Sequence, residues 1–291
     1  MTRPSGLVVV DKPGGLTSHD VVGRVRRLAD TRKVGHAGTL DPMATGVLVL
    51  GVNRATRLLG HLMLTEKRYA ATVRLGVSTT TDDAEGEVVA TSPTDALTED
   101  AVRAGFASQV GELDQVPSAV SAIKVDGRRA YQRVREGEDV VLPSRRVTVH
   151  ELTVTAVRTE AATCEADIEV RCSSGTYIRA IARDVGVALG VGGHLTALRR
   201  TAVGPFDLTR ASTLEALAED LAMVPLGEAA RAAFSAYDLD EQQAVDVRFG
   251  RRVRLTLPSP GPVALFAPDG EFLALYEQQG EHARAVAVFV G

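Results

Sequence analysis

Two segments of the sequence alternate between apolar and polar residues with a period of two. In the run 67–76 the odd-numbered positions from Tyr69 to Leu75 are apolar, and Arg68 and Arg74 fall on the opposite face. In the run 164–172 the even-numbered positions are apolar and the odd-numbered positions are charged. This period is that of a strand with one buried face. Both runs are therefore predicted to be half-buried strands of a sheet.

Helical patterns are interleaved with these strands. The clearest helix starts at Thr17, which we expect to cap it while Asp20 reaches back to the cap and Leu16 packs against Val21. The other segments with a helical pattern are 55–64, 98–110, 130–135, 176–189 and 213–231. Further strands are predicted at 6–10, 47–50 and 147–157, and a polar loop or hairpin at 79–97. We therefore predict an α+β fold in which helices flank a mixed β-sheet.

The sequence changes in character after Tyr237. Short apolar runs at 253–257, 263–267, 272–276 and 286–290 alternate with turns rich in proline and glycine. This spacing is typical of a small all-β module. We predict a catalytic domain at residues 1–235, with a basic insert at about 124–146, and a separate module at residues 236–291.

The charge of the chain is distributed unevenly. The formal net charge is −4, which by itself argues weakly against nucleic-acid binding. However, the run 24–33 contains five positive residues and one negative residue, and the run 124–146 contains seven positive and four negative residues. A local basic surface is possible on an acidic protein. Each run is either a contact surface for phosphates or a solvated face of a helix or loop.

The cysteines and the hydropathy pattern exclude several classes of protein. Cys164 and Cys172 are the two cysteines and fall on the apolar face of one strand, where they are predicted to be buried. No further ligands stand at a spacing that suits a metal site. The apolar start 7–10 is too short for a secretory signal, and no apolar run is long enough to span a membrane. We expect a soluble cytoplasmic protein.

The segment 35–46 is the densest concentration of unusual residues in the chain. It contains three glycines, and Asp41 is its only formal charge. A lone acid beside a proline usually occupies a turn, but Gly35, Gly38 and Gly46 would let the backbone approach a ligand closely. The segment is neither a P-loop nor a dinucleotide-binding fingerprint, since it lacks both patterns.

A second candidate segment, 173–179, lies where a strand gives way to a helix. Arg179 falls between Ile178 and Ile181, so its side chain is expected on the core side. A buried guanidinium needs a carboxylate partner, and Asp41 is a candidate for that partner. Such a pair would keep the aspartate ionised, as a nucleophile or base requires. The alternative is that Arg179 faces solvent.

The segment 35–48, read as Gly-His-Ala-Gly-Thr-Leu-Asp-Pro-Met-Ala-Thr-Gly-Val-Leu, resembles the catalytic motif of the tRNA pseudouridine synthase B (TruB) family. Other segments resemble family motifs in the expected order: 6–20, 67–69, 121–131, 173–179 and 198–201. The resemblance covers residues 6 to about 235, and the module that follows is similar in character to a small PUA-type β-barrel. The stretch 115–120 departs from the pattern, because relatives usually carry a second proline and a tyrosine there.

The resemblance implies isomerisation of uridine to pseudouridine at position 55, in the TΨC loop of tRNA, without a metal or other cofactor. It implies that Asp41 is the essential carboxylate, but whether Asp41 attacks the base or the sugar, or removes a sugar proton, stays open. Arg179 would pair with it, and Tyr69 would stack on a flipped base and take part in catalysis. The other residues implied in substrate binding are His36, Tyr177, Leu198, Lys12, Gly38 and Thr39. The implied partner is the T-arm of tRNA, bound by a monomer.

Three other functions are compatible with parts of the pattern. A non-catalytic protein that binds or folds RNA on the same fold should lack Asp41 or its arginine partner. A glycosidase typically needs two catalytic carboxylates, and the glycine-rich segment holds one. A related synthase could act on ribosomal RNA or with a guide RNA, but the short module at the C-terminus favours tRNA.

Overall fold

A computed structural model describes residues 4–118, 124–125, 128–129, 142–160 and 163–290. The strands are β1 (Gly6–Lys12), β2 (Val34–His36), β3 (Thr45–Val52), β4 (Lys67–Leu75), β5 (Val77–Thr79), β6 (Val88–Thr91), β7 (Gly111–Gln115), β8 (Lys124–Val125), β9 (Arg128–Arg129), β10 (Arg145–Glu160), β11 (Thr163–Cys172), β12 (Gly193–Val203), β13 (Phe206–Asp207), β14 (Val224–Pro225), β15 (Ala236–Asp238), β16 (Val263–Phe266), β17 (Phe272–Gln279) and β18 (His282–Val288). The α-helices are α1 (Ser18–Leu28), α2 (Leu59–Leu62), α3 (Glu99–Ala107), α4 (Ile178–Ala188), α5 (Leu214–Glu219), α6 (Leu226–Ala233) and α7 (Glu241–Arg248). Short 3₁₀ helices span Asn53–Arg57 and Leu208–Arg210.

One large mixed sheet organises the molecule, in the strand order β14-β1-β3-β12-β4-β11-β10-β7. β12 runs parallel to β3, and β2 and β13 pair with β3 and β12 outside this path. The two strands with period-two patterns, β4 and β11, are direct antiparallel neighbours, and Val73 lies opposite Ala166. Their apolar residues therefore share one buried face, which confirms the prediction for both strands and for the buried cysteines.

The centre of the sheet is covered on both faces. On β1, Val8 and Val10 belong to a core cluster shared with α1 and α4, whereas Leu7 and Val9 belong to a second cluster with α6 and the C-terminal module. This double burial explains why the strand reads as a continuous apolar run rather than as an alternation. The α+β prediction is therefore confirmed.

The C-terminal module is built on the sheet β15-β16-β17-β18. Phe266, Phe272 and Phe289 pack in the second core cluster with Leu7 and Val9, so the module rests on the underside of the main sheet. Helix α7, which the sequence pattern did not indicate, begins with a capping box at Asp240. The predicted division at residue 235 stays a prediction.

Two predicted helices are wrong in extent. The segment 55–64 is a 3₁₀ turn followed by the four-residue α2, and the segment 213–231 is divided into α5 and α6. Between α5 and α6, Val224 and Pro225 pair with Leu7 and Gly6 of β1. The backbone of this segment follows the edge of the sheet, so it cannot continue a helix, and Pro225 has no N–H to donate within one. The predicted capping of α1 by Thr17 and Asp20 is confirmed.

Two strand predictions also need correction. The segment 253–257 buries Val253, Leu255 and Leu257 but forms only an isolated bridge, because the side chain of Gln278 bonds the backbone of Leu255 and Leu257. The eleven-residue β12 lies in the middle of the main sheet and was not predicted as a strand. The helix predicted at 130–135 lies outside the described residues.

Candidate active site

The loop that carries Asp41 connects the antiparallel strands β2 and β3. Helix α1 fixes this loop from one side, because the hydroxyl of Ser18 donates to the carbonyl of Leu40 and accepts from its N–H, at 3.1 and 2.9 Å. Both groups are buried, so the residue immediately before Asp41 is tied to the first turn of a capped helix.

Lys12 supports the same loop from below. Its side chain is fully buried at the end of β1, and its Nζ donates to the carbonyls of Pro13, Leu16 and Pro42. Burial lowers the pKa of Lys12 to about 8, although the nearby Asp41 carboxylate opposes the shift. Lys12 therefore holds the residue that follows Asp41 and does not line the cleft.

Arg200 of β12 supports the loop at its other end. This buried guanidinium donates to the carbonyls of Val47, Thr39 and Gly38, at 2.7, 3.2 and 3.2 Å. Gly46 lets the two chains meet, because its φ is +99° and a Cβ there would lie 2.2 Å from the carbonyl oxygen of Arg200. A side chain at position 46 would thus push β3 and β12 apart, and the Asp41 loop with them.

Arg179 joins two carboxylates at the base of the cleft. Its Nη2 lies 3.2 Å from Oδ2 of Asp41, and its Nη1 lies 3.2 Å from Oδ2 of Asp83. Nη1 also donates to the carbonyl of Thr81 at 3.0 Å. The Arg179 and Asp83 side chains are 7% and 3% exposed, whereas that of Asp41 is 35% exposed. Asp41 is thus the member of the trio that a substrate can reach.

Asp83 is a site residue that the sequence did not indicate. Its carboxylate also accepts from the hydroxyl of Thr81 and the N–H of Glu85, so it is fixed before it meets Arg179. A guanidinium offers five donors, and a buried one rarely has a single partner. The five donors of Arg179 indicate that it needs a second acceptor. The sequence does not show which residue supplies that acceptor, because this depends on tertiary structure.

A cleft of about 480 Å³ opens above this trio. The predicted site residues that line it are Gly38, Thr39, Asp41, Tyr69, Tyr177, Arg179 and Leu198. The structure thus brings seven of the nine predicted residues together from four separate segments. The cleft residues outside the prediction include Met63, Leu64, Lys67, Arg145 and Arg200.

The two tyrosines stand in partly buried positions. Burial raises the pKa of Tyr69, although the neighbouring Arg200 guanidinium opposes the shift. Burial also raises the pKa of Tyr177. The backbone of Tyr177 is clamped by Gln115, whose side-chain amide accepts from its N–H at 2.7 Å and donates to its carbonyl at 3.0 Å. Because burial raises the pKa of both tyrosines, both phenols are neutral near pH 7. A neutral ring suits stacking on an uncharged base.

His36 lies at the start of the loop but outside the cleft wall. Its ring meets that of His19 edge to face, with centroids 5.6 Å apart, and burial lowers its pKa. His36 is therefore mainly neutral near pH 7 and sits between α1 and the Asp41 loop. Its predicted part in RNA binding stays a prediction.

Comparison with protein families divides the chain into three consecutive matches. Residues 26–178 match the model for the TruB family pseudouridylate synthase N-terminal domain. Residues 179–232 match the tRNA pseudouridylate synthase B C-terminal domain, and residues 234–290 match the tRNA pseudouridine synthase II C-terminal model. The chain belongs to the TruB family.

Curated members of the TruB family are similar over their whole length. A tRNA pseudouridine synthase B from Arthrobacter sp. (strain FB24) is 59% identical, over 98% of this chain and 96% of that protein. The protein of the same name from Thermobifida fusca (strain YX) is 58% identical, over 98% of this chain and 99% of its own.

Solved structures share the fold at lower identity. A Cbf5-Nop10-Gar1 complex matches with a TM-score of 0.75 and 26% identity, covering 98% of this chain and 85% of that one. A chain of an H/ACA ribonucleoprotein bound to a substrate RNA matches with a TM-score of 0.74 and 23% identity, at the same coverage. The second match supports the fold alone.

Two further features are absent from the described residues. No helix within them has the length and apolar character needed to cross a membrane. No three histidine, cysteine or acidic side chains within the same ranges converge as ligands for a metal ion.

Proposed function

We propose that this chain converts uridine to pseudouridine at position 55 of tRNA, in the loop of the T-arm. The observation that carries the proposal is the ion pair of Asp41 with a buried Arg179 at the base of a cleft that tyrosines line. Whole-length identity of 58–59% to proteins named tRNA pseudouridine synthase B supports it.

The reaction requires an ionised carboxylate in the cleft that receives the base. The bond between N1 of the base and the sugar breaks, the base turns, and C5 bonds to the sugar while its proton is lost and N1 regains one. The product is an isomer of the substrate, because one proton is lost at C5 and one is gained at N1. Asp41 supplies the negative group, whether it attacks the base, attacks the sugar or takes a proton from the sugar. Arg179 stabilises that charge and orients it.

Access to the uridine requires the base to leave its stack. Flipping a base costs a few kcal/mol, and stacking on an aromatic side chain returns about 1–3 kcal/mol. Tyr69 lies in the same cleft wall as Asp41, on a strand whose position the sheet fixes. We propose that Tyr69 stacks on the flipped uracil and that Leu198 closes the other side of the pocket.

A basic groove supports contact with the RNA backbone. Arg27, Arg32 and Lys33 line an open groove at the far end of α1, beyond the end that holds the Asp41 loop. Among the described residues, none of these three side chains forms an ion pair or a hydrogen bond with another side chain. Unpaired cations at this end of α1 suit the phosphates of a bound hairpin. The protein is proposed to act as a monomer in the cytoplasm.

The experiment maps the product on a T-arm transcript. The purified chain is incubated with the hairpin and with a matched hairpin that has cytidine in place of uridine 55. We expect pseudouridine at position 55 of the first RNA and none elsewhere in either. Tight binding without product would favour an RNA-folding protein, and product at another uridine would refute the position.

A further inference from the structure

The turn that follows α2 presents two large apolar side chains to solvent at the mouth of the cleft. We call residues 63–66 the rim turn. Met63 is 47% exposed and Leu64 is 75% exposed, although both line the cleft that contains Asp41 and Tyr69. Exposed apolar residues scattered singly need no explanation, but two adjacent ones at the entrance to a catalytic cleft indicate a contact surface.

The rim turn is held rigidly. The buried ammonium of Lys67 donates to the carbonyls of Met63 and Thr65, and the Thr65 hydroxyl donates to Leu62 at 2.7 Å. The N–H of Gly204 donates to the carbonyl of Glu66 at 2.9 Å, which ties the turn to the end of β12. These bonds order the turn in the free protein, so little conformational entropy is lost when its apolar tip binds a partner.

The surroundings of the rim turn favour a nucleobase over a protein surface. Two cations, Lys67 and Arg145, line the same cleft, and Arg145 forms no ion pair within the described part of the chain. RNA-binding surfaces combine such cations with apolar groups that meet base faces. Leucine and methionine also act elsewhere as wedges that enter between bases and keep them unstacked.

We propose that Met63 and Leu64 form an apolar wedge that contacts the nucleobase next to the flipped uridine. The wedge packs against the face of that neighbour and holds it apart from the flipped base. This inference rests on the proposed function, because it assigns a second contact to the same cleft. It makes the rim turn a determinant of substrate binding, separate from the chemistry at Asp41.

The test compares the Met63→Ser/Leu64→Ser double variant with wild type on the T-arm hairpin. Val187→Ser is the control, since Val187 is 68% exposed, lies near the far end of α4 and does not line the cleft. We expect KM to rise about tenfold or more in the double variant, with kcat changed less, because an apolar contact that contributes to substrate binding is lost. Val187→Ser should match wild type.

Hairpins that lack one base identify the contact. One hairpin lacks the base on the 3′ side of the target, and the other lacks the base on the 5′ side. On one of these two hairpins, the double variant and wild type should have equal kcat/KM. A double variant that matches Val187→Ser on the intact hairpin, or that loses the same factor on both abasic hairpins, would overturn the wedge.

Binding separates this inference from the proposed chemistry. Asp41→Asn protein is titrated with a hairpin that carries 2-aminopurine beside the target uridine, with and without the rim-turn substitutions. Fluorescence that changes on binding and depends on Met63 and Leu64 supports the wedge even if no pseudouridine forms. A fluorescence change that is the same with and without the substitutions contradicts it, whatever the activity of wild type.

Discussion

Arg179 is the residue around which the candidate active site is arranged, because its guanidinium meets two carboxylates and a carbonyl at once. Asp83 is nearly inaccessible, so it acts on the substrate only by orienting Arg179. The sequence allowed the pairing of Asp41 with Arg179 to be predicted, since a buried arginine needs an acid. It did not identify Asp83 or Arg200, because neither spacing nor pattern indicates which distant loop meets a strand end.

Asp83→Asn should lower kcat, because it leaves Arg179 with one charged partner and frees it to move. We expect kcat to fall by about tenfold or more. Loss of one preorganised donor in other active sites lowers kcat by a factor of about 10²–10³. Asp82→Asn is the matched control, since Asp82 pairs with Arg183 instead. Single-turnover rates on the T-arm hairpin measure both variants. Equal rates for Asp83→Asn and Asp82→Asn would remove Asp83 from the site.

Lys12 should give the stability of the protein a recognisable dependence on pH. Burial lowers its pKa from 10.5 to about 8, so between these values the unfolded chain binds more protons than the folded one. The contribution of Lys12 to stability therefore rises with pH across that window, by at most about 1.4 kcal/mol per pH unit. Below pH 8 both states are protonated and the cost of burial is fully present.

Urea titrations of wild type and Lys12→Met at pH 8 and pH 10 measure this effect. We expect the free energy of unfolding of wild type, relative to that of Lys12→Met, to increase with pH. Burial also lowers the pKa of Lys67 to about 8. The contribution of Lys67 cancels in this comparison, because both proteins contain it. A difference that stays constant or falls would mean that Lys12 is not desolvated.

At the scale of the elements, the strands with one buried face and the capped start of α1 could be predicted. Those features are local, since a period-two pattern or the pair Thr17 and Asp20 depends on neighbouring residues alone. The break between α5 and α6 could not, because it arises from pairing of Val224 with Leu7, far away in the chain. The central β12 was missed for the same reason: its position between β3 and β4 is a property of the sheet.

Gly46→Ala should disrupt the meeting of β3 and β12. Its φ of +99° disfavours a side chain, and the added Cβ would overlap the Arg200 backbone. We expect unfolding free energy to fall by about 2 kcal/mol or more. Gly60→Ala is the control, because a Cβ there meets nothing within 4 Å. Thermal unfolding of both variants decides the point, and equal melting temperatures would contradict the proposed close approach.

At the scale of the whole molecule, an acidic chain carries a local basic surface at the far end of α1. Arg27, Arg32 and Lys33 are grouped at one end of α1, and the acids of the chain are concentrated elsewhere. The basic run 24–33 could be recognised in the sequence, but the fold decides that its cations surround one groove. The C-terminal module contributes to the same body, since its phenylalanines complete the core beneath β1 and β3.

Loss of the basic groove should weaken RNA binding in a salt-dependent way. The Arg27→Gln/Arg32→Gln/Lys33→Gln variant should reduce the slope of log affinity against log salt by about 2–3, because each phosphate contact adds about 0.7–0.9. The control removes three arginines that are paired with acids, in Arg103→Gln/Arg210→Gln/Arg248→Gln. Equal slopes for the two variants would assign the RNA backbone to another surface.

The most direct test follows the hydrogen at C5 of the target uridine, which must leave when C5 bonds to the sugar. A T-arm transcript with tritium at C5 is mixed with wild type or with Asp41→Asn, and release into water is counted. The account predicts about one release event per RNA with wild type, and a rate lower by at least about 10³-fold with Asp41→Asn at unchanged RNA affinity. Release by Asp41→Asn at the wild-type rate would contradict the role of the Asp41 carboxylate.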